Sequence, residues 1–283
     1  REKSSSANKT SLRLYHPMNL HLYDKYSHKV SYPLYVQRKL DGVRLMATLN
    51  TDKNETSSVI LYNRGLKPME DCFPYLTDEL TPILKKYPHI ILDGEFYKHG
   101  LHLNKIAGLV REQSSVKSRT LSSIVLEFHI FDLVNTRDKD MPYVDRLNLL
   151  DSIFAEFGSE LFWCKKVETL HVRTEDKLNS FYELFLAEGY EGIVARDASG
   201  KYESSPNKTY RSYTALKRKA CFDDEFKIVG FTTGEGIHNG KIIFTLETPS
   251  HIEFNAVAKD MTHKEQEEMY QDALLNFDTN YKG

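Results

Sequence analysis

Short apolar or alternating runs recur through the first two thirds of the chain and predict a β-rich architecture. Val, Ile, Leu and aromatic residues dominate these runs, and Gly, Pro, Asp and Asn residues bound them, as is typical of strands separated by turns. The predicted strands lie near 34–38, 43–49, 57–63, 90–92 and 126–134, and a further one lies within 190–196. The polar residues 52–55 predict a hairpin loop between two of these strands, and Asp93-Gly94-Glu95 is expected to end another.

Helical spacing of apolar residues separates the strands. It predicts helices over 69–87, 103–111, 143–157 and 174–188. Pro74 and Pro82 leave the limits of the first helix open, and Thr174 or Asp176 is available to cap the last. Residues 12–30 have no clear period and predict a loop or short helices, and the Ser- and Lys-rich residues 1–12 are expected to be disordered.

The pattern changes after Lys219. Short alternating strands are predicted over 225–232, 241–247 and 252–257, with Gly-rich joints between them. A helix is predicted over 262–275, where Thr262 and Glu265 have the spacing of a capping box. The chain therefore divides into a large domain over 13–220 and a small β-rich domain over 221–283.

Composition limits the class of protein. A chain of 283 residues suits two domains rather than one small core. No apolar run approaches the length of a membrane span, and the polar amino-terminal stretch does not resemble a signal peptide. Cys72, Cys164 and Cys221 are an odd number without metal-type spacing, which predicts reduced thiols in an intracellular protein of cytoplasm or nucleus. The first residue is Arg, which indicates a fragment or a processed product.

Charge is unevenly distributed. The net charge is −2, yet residues 221–283 hold 12 acidic and 5 basic residues, a balance of −7 that leaves +5 for the preceding part. A mildly basic large domain permits a polyanionic partner without requiring one.

The stretch Lys39-Leu40-Asp41-Gly42-Val43-Arg44 joins two of the predicted strands. By itself it predicts a hairpin with an Asp-Gly turn and a lysine at its mouth. A lone motif of this kind is a solvated turn in roughly nine cases of ten. The segments that follow it along the chain are what favour a functional role for this motif.

Acidic and basic residues recur at the ends of several of the apolar strands. Charges in such places are costly to bury alone, so they are expected to meet in one cleft and to neutralise each other or a charged ligand. Lysines with two or three carboxylates suit a polyphosphate with a divalent metal, whereas surface ion pairs are the alternative. The residues are Lys39, Glu95, Asp132, Glu191, Lys217 and Lys219.

These segments, in this order from about residue 35 to 257, resemble the motifs of ATP-dependent DNA ligases, which belong to the covalent nucleotidyltransferase superfamily. The resemblance implies an α+β fold: a nucleotidyltransferase (adenylation) domain of antiparallel sheets flanked by helices, followed by an OB-fold domain. It also implies a monomeric enzyme that uses ATP as AMP donor and nicked duplex DNA as substrate.

The resemblance also implies roles for residues that contact the nucleotide. Lys39 matches the lysine that becomes adenylated, and Arg44 matches a residue that contacts the nucleotide and the nick phosphate. Arg64, in Asn-Arg-Gly, matches a contact to the 5′-phosphate or ribose. Phe131, in Phe-Asp, matches the aromatic that stacks on adenine, and Gln37 lies where it can help to read the base.

The remaining implied roles concern phosphate and metal. Glu95, in Asp-Gly-Glu, matches the glutamate that holds the ribose or a metal. Glu191, in Glu-Gly-Ile-Val-Ala-Arg, matches a Mg²⁺ ligand, and Lys217 and Lys219, in Leu-Lys-x-Lys, match the pair that grips the α-phosphate.

The implied chemistry needs an unprotonated lysine. An unperturbed lysine has a pKa near ~10.4, so the neutral amine costs about 4–5 kcal/mol at neutral pH. Nearby cations such as Lys217, Lys219 or Mg²⁺ lower this cost because they disfavour the ammonium.

The end of the chain departs from the family pattern. An OB-fold needs further strands after its helix, and family members close with a basic motif that orients pyrophosphate, whereas this sequence stops at Gly283. We expect a truncated barrel, impaired reaction with ATP and retained sealing by pre-adenylated enzyme.

Two alternative classes remain open: another covalent nucleotidyltransferase and an inactive binding module. An RNA ligase or an mRNA guanylyltransferase shares the superfamily motifs, although the form of the last two favours DNA ligase. NAD⁺ as donor is disfavoured because NAD⁺-dependent ligases carry an upstream domain that the first thirty or so residues cannot supply. A catalytically inactive nucleic-acid-binding module is disfavoured by the intact Lys39, Glu95, Glu191 and Lys217.

Overall fold

The computed structural model describes residues 14–51, 56–69, 72–113, 125–220, 225–258 and 261–283. The chain divides into two compact units, Arg1–Ala220 and Cys221–Gly283. The predicted disorder of 1–12, the hairpin loop 52–55 and Cys221 lie outside the described residues.

The larger unit contains ten strands and five α-helices among its described residues. The strands are β1 (Asn19–Leu22), β2 (Leu34–Lys39), β3 (Val43–Thr51), β4 (Ser57–Asn63), β5 (Ile90–Tyr97), β6 (Glu127–Asn135), β7 (Cys164–Lys166), β8 (Thr169–Val172), β9 (Gly192–Asp197) and β10 (Arg211–Lys219). The helices are α1 (Tyr23–Tyr26), α2 (Pro74–Lys86), α3 (Leu103–Gln113), α4 (Tyr143–Phe157) and α5 (Glu175–Ala187).

The strands form two five-stranded sheets. The first has the order β1-β10-β9-β2-β8 and the second has the order β4-β3-β5-β6-β7. Pairing is antiparallel except between β1 and β10 and between β6 and β7. The predicted α+β class with antiparallel sheets is therefore confirmed.

Each sheet has its own apolar core. Leu76, Leu80 and Ile83 of α2 pack in one cluster with residues of the second sheet, and all three are fully buried. Leu178 and Phe185 of α5 pack with residues of the first sheet in a separate cluster. The 3.6-residue spacing that predicted these helices is the spacing of their buried face.

The hairpin predicted at Asp41-Gly42 is wrong. β2 pairs with β8 and β9, whereas β3 pairs with β4 and β5, so the segment between them connects the two sheets. The local sequence cannot distinguish these outcomes because an Asp-Gly turn suits either connection. Gly42 is needed for another reason: a Cβ there would lie 2.2 Å from the carbonyl oxygen of Phe96.

We expect Gly42→Ala to destabilise the larger unit by several kcal/mol, because the Cβ collides with backbone that cannot move freely. Gly158→Ala is the matched control, since no atom lies within 4 Å of a Cβ at that position. Urea unfolding followed by the fluorescence of Trp163, the single tryptophan, measures both variants. Equal stability of the two would contradict this role of Gly42.

Other element boundaries were predicted with mixed success. Helix α4 has the predicted limits, and α2 begins at Pro74, which suits the first helical turn. β5 does not end at Asp93-Gly94-Glu95 but continues to Tyr97. Residues 12–30 contain the unpredicted strand β1, which pairs with β10.

The smaller unit contains β11 (Lys227–Thr233), β12 (Ile242–Glu247), β13 (Glu253–Val257) and α6 (His263–Asn280). The three strands form an antiparallel meander. Thr262 and Glu265 form the predicted capping box, and the helix extends past its predicted end at 275. Among the described residues of both units, no helix is long and apolar enough to cross a membrane.

Candidate active site

A cavity of about 70 Å³ in the larger unit is lined by side chains from both sheets. Five of the predicted site residues line it, and they are Gln37, Lys39, Arg44, Glu95 and Phe131. The other lining residues are Met18, Leu20, Arg38, Leu40, Asp93, Val194 and Arg196. Arg64, Glu191, Lys217 and Lys219 are not among them.

Strand register brings three distant motifs together at Lys39. This residue ends β2 and pairs with Gly192 at the start of β9, which pairs in turn with Lys219 at the end of β10. The backbone N–H of Glu191 donates to the carbonyl of Lys39 at 3.1 Å. Gly192 is required here because a Cβ would lie 2.1 Å from the carbonyl oxygen of Arg218.

The Glu191 carboxylate joins two of the lysines. One of its oxygens forms an ion pair with Lys39 Nζ, and the other lies 3.4 Å from Lys219 Nζ. Burial lowers the pKa of Lys217, and the positive charges of Lys39, Arg211 and Lys219 lower it further. Three lysines near this carboxylate form a cationic cluster, which suits a phosphate group.

Arg44 is held rigidly on the second sheet. Its guanidinium donates two hydrogen bonds to the Asp93 carboxylate, both at 2.6 Å, and lies 4.8 Å from the centre of the Phe131 ring. Tyr202 donates a further hydrogen bond to Asp93 at 2.5 Å. Burial alone would lower the pKa of Arg44, but the charge of Asp93 raises it above its ordinary value. A planar ligand that stacks on Phe131 would therefore contact a ring that already packs against this guanidinium.

Glu95 lies two residues after Asp93 on the same strand. The neighbouring cations do not fully offset the cost of burying its negative charge. Burial raises its pKa to about 7, and the carboxylates of Asp93 and Glu191 contribute, whereas Arg44 and Lys39 oppose the rise. A carboxylate in this environment favours a cation.

Magnesium fits these residues only as part of a larger ligand set. Within the described part of the chain, no group of three or more His, Cys, Asp or Glu side chains could hold a metal ion. Mg²⁺ commonly takes one or two carboxylates and completes its shell with water and substrate phosphates. Glu95 and Glu191 suit that arrangement.

The pKa of Glu95 makes stability depend on pH. Between the ordinary carboxyl pKa of 4.5 and about 7, folded Glu95 keeps a proton that the unfolded chain has lost. Stability therefore falls as the pH rises through this window. We expect Glu95→Gln to raise the melting temperature relative to the unaltered chain, and to do so more at about pH 8 than at about pH 5.

The control for this measurement is Glu160→Gln, because Glu160 is exposed on the surface. It is expected to change the melting temperature little at either pH. A Glu95→Gln effect that does not change with pH would contradict the assignment.

Two predicted nucleotide-binding residues have polar groups that are bound by other protein groups. The Arg64 guanidinium is exposed and donates to Asn19 Oδ1 at 2.8 Å; neither residue lines the cavity, although Met18 and Leu20 on either side of Asn19 do. The Gln37 side chain is buried, and its amide contacts Phe131, Thr169 and Arg196.

A buried charge network beside the cavity joins Asp132, which the sequence predicted for the charged cleft, to Arg146 and Arg196, which were not predicted. Asp132 accepts hydrogen bonds from Arg196 at 2.8 Å and from Arg146 at 2.8 and 3.1 Å. Burial alone would raise the pKa of Asp132, but the two guanidiniums lower it below its ordinary value. Arg196 belongs to a quoted motif and could have been selected, whereas nothing marks Arg146 on its helix.

Comparison with known proteins agrees with this arrangement. The family model for the ATP dependent DNA ligase domain matches residues 17–219. A DNA ligase of African swine fever virus (isolate Warthog/Namibia/Wart80/1980) is 32% identical over 242 residues, which cover 83% of this chain and 54% of the viral protein. The chain thus spans about half the length of this curated relative.

Solved structures show the same fold. A chain called Pmar-Lig_Pre matches with a TM-score of 0.73 at 18% identity, covering 93% of this chain and 60% of that chain. Chlorella virus DNA ligase-adenylate matches with a TM-score of 0.55 at 19% identity, covering 92% and 87%. The predicted order, a nucleotidyltransferase domain followed by an OB-fold domain, is the fold of these neighbours. Because the family match covers most of the larger unit, including Lys39 and the cavity, the chain belongs to the ATP-dependent DNA ligase family.

Proposed function

We propose that this chain carries the catalytic centre of a DNA ligase that seals nicks in duplex DNA through a lysyl-AMP intermediate on Lys39. The observation that carries the proposal is the position of Lys39: this residue lines a cavity between the two sheets, and its amine contacts Glu191, with Lys217 and Lys219 nearby. ATP is the AMP donor in this proposal, as the family implies.

The first step forms a bond between Lys39 Nζ and the α-phosphorus of ATP. The ammonium loses a proton to solvent before it attacks, and the neighbouring cations Lys217 and Lys219 favour this loss because they disfavour the ammonium. The Pα–O bond to the β-phosphate breaks, and pyrophosphate leaves with the electron pair. Lys217 and Lys219 stabilise the charge that develops on the α-phosphate oxygens.

The next two steps transfer the AMP and seal the nick. An oxygen of the 5′-phosphate attacks the α-phosphorus, the N–P bond breaks and Lys39 regains its amine. The 3′-hydroxyl then attacks the 5′-phosphorus, loses its proton and displaces AMP. Both steps are phosphoryl transfers, so the protein contributes positioning and electrostatic stabilisation.

Other residues orient the substrates in this scheme. Phe131 stacks on adenine, Gln37 reads its edge, and Arg44 contacts the nucleotide and the nick phosphate. Arg64 is exposed, so it suits a contact to DNA better than one inside the cavity. Glu95 and Glu191 would hold Mg²⁺, which when bound neutralises charge on the phosphates.

A labelled nick tests this function. We expect the chain to join a duplex nicked between a 3′-hydroxyl and a 5′-phosphate in the presence of ATP and magnesium, with transfer of AMP to the protein slower than sealing by pre-adenylated protein. Assaying AMP transfer to the protein separately from sealing by pre-adenylated protein distinguishes the two halves of the reaction.

Other outcomes would support the alternative functions. Labelling by GTP rather than ATP would support a guanylyltransferase, and sealing of RNA nicks alone would support an RNA ligase. Binding of DNA without labelling or sealing would support an inactive module. A monomeric state and an intracellular location stay predictions.

A further inference from the structure

The amide of Gln37 is nearly fully engaged by protein groups. Its Nε2 donates to the carbonyl oxygen of Phe131 at 3.0 Å and to Thr169 Oγ1 at 2.9 Å. Its Oε1 accepts from Arg196 Nε at 3.0 Å. A glutamine amide has two N–H donors and an oxygen with two lone pairs. Both donors are therefore used, and one lone pair of the oxygen is left.

These partners determine the positions of the oxygen and the nitrogen of the Gln37 amide. The Phe131 carbonyl can only accept a hydrogen bond, and the Arg196 guanidinium can only donate one. Rotating the amide by half a turn would set its oxygen against the carbonyl and its N–H groups against the guanidinium. Both contacts would then be repulsive inside the protein, where unpaired polar groups are costly.

Arg196 is itself held in place by buried charges. It donates to Asp132 at 2.8 Å, and Arg146 donates to the same carboxylate. Arg146 also donates to the carbonyl oxygens of Met141 at 2.8 Å and Gly200 at 2.9 Å. The orientation of one amide is thus determined by a chain of hydrogen bonds that reaches α4 and the loop after β9.

We propose that Thr169 and Arg196 are positioning residues that set base selectivity by fixing the Gln37 amide. Gln37, Phe131 and Arg196 all line the cavity. With its donors occupied, Gln37 can offer a ligand one acceptor and no donor. A purine with an amino group at position 6 supplies the matching donor, whereas a 6-oxo purine presents an acceptor and is rejected. The inference rests on the proposed use of ATP and deepens it.

Thr169 allows a test that leaves the buried charges intact, because it lies on the short strand β8 and is only partly buried. Thr169→Val removes one acceptor and releases a donor of Gln37, which a 6-oxo purine can then use. Thr169→Ser keeps the hydroxyl. Binding of ATP and of inosine triphosphate is measured by titration calorimetry on the intact chain, and labelling of the protein by each nucleotide is measured on the same samples.

We expect the unaltered chain to prefer ATP and Thr169→Val to lose about tenfold of that preference, the size of one hydrogen bond. Thr169→Ser should restore it. Gln37→Met, which has no amide, should show the largest loss of the preference for ATP.

A preference for ATP that survives Thr169→Val but falls in Gln37→Met would overturn the positioning role. A preference that survives Gln37→Met would overturn reading by the amide altogether. ATP that binds without labelling the protein would count against the proposed function and leave the selectivity test intact.

Discussion

Lys39→Arg is expected to abolish transfer of AMP to the protein. Arginine keeps the positive charge and can still pair with Glu191, but its pKa above ~12 leaves no neutral nitrogen to attack phosphorus. The loss should be at least about 10³-fold, as for removal of other nucleophiles. Radioactivity retained from ATP labelled at the α-phosphate, on denatured protein, measures it.

The control for this experiment is Lys264→Arg in α6, whose side chain is 85% exposed. Labelling of this variant should equal that of the unaltered chain. Retained labelling of Lys39→Arg would assign the nucleophile to another residue.

Asp132→Asn is expected to cause the largest loss of stability of any single conservative change considered for this chain. The carboxylate is buried between Arg146 and Arg196, and the amide would leave two guanidinium charges without their counter-ion. Removing one partner of a buried ion pair costs about 3–5 kcal/mol. Urea unfolding followed by Trp163 fluorescence measures the change in the free energy of unfolding of the larger unit.

Asp140→Asn is the matched control, because Asp140 is 81% exposed and pairs at the surface with Lys201. It should change stability by less than about 1 kcal/mol. The lowered pKa of Asp132 adds a pH dependence: its contribution is present above the ordinary carboxyl pKa and is lost as the pH falls through the lower, folded value. Equal effects of the two substitutions would contradict the role given to the buried network.

The sequence predicted local features best where one period dominated. The apolar spacing of 143–157 gave both ends of α4, and Thr262 with Glu265 gave the start of α6. Such features depend on neighbours within one or two turns of the chain. Short edge strands are harder, and β1 was missed because its four residues mix polar and apolar types and pair with a strand far along the chain.

Long-range features of the site were predicted only in part. Lys39, Glu191 and Lys219 do meet, yet Glu95, Asp132 and Lys217 lie inside strands rather than at their ends. Pairing between distant strands decides which faces meet, and local sequence does not encode it. Arg146 shows the same limit, because a charge on an amphipathic helix normally faces solvent.

Mass spectrometry of the chain after incubation with ATP and magnesium tests the central claim most directly. We expect the intact mass to increase by one AMP, the peptide containing Lys39 to carry the added group, and pyrophosphate to remove it. An AMP group attached to any other residue, or a nucleotide that binds in the cavity and leaves the protein mass unchanged, would contradict it.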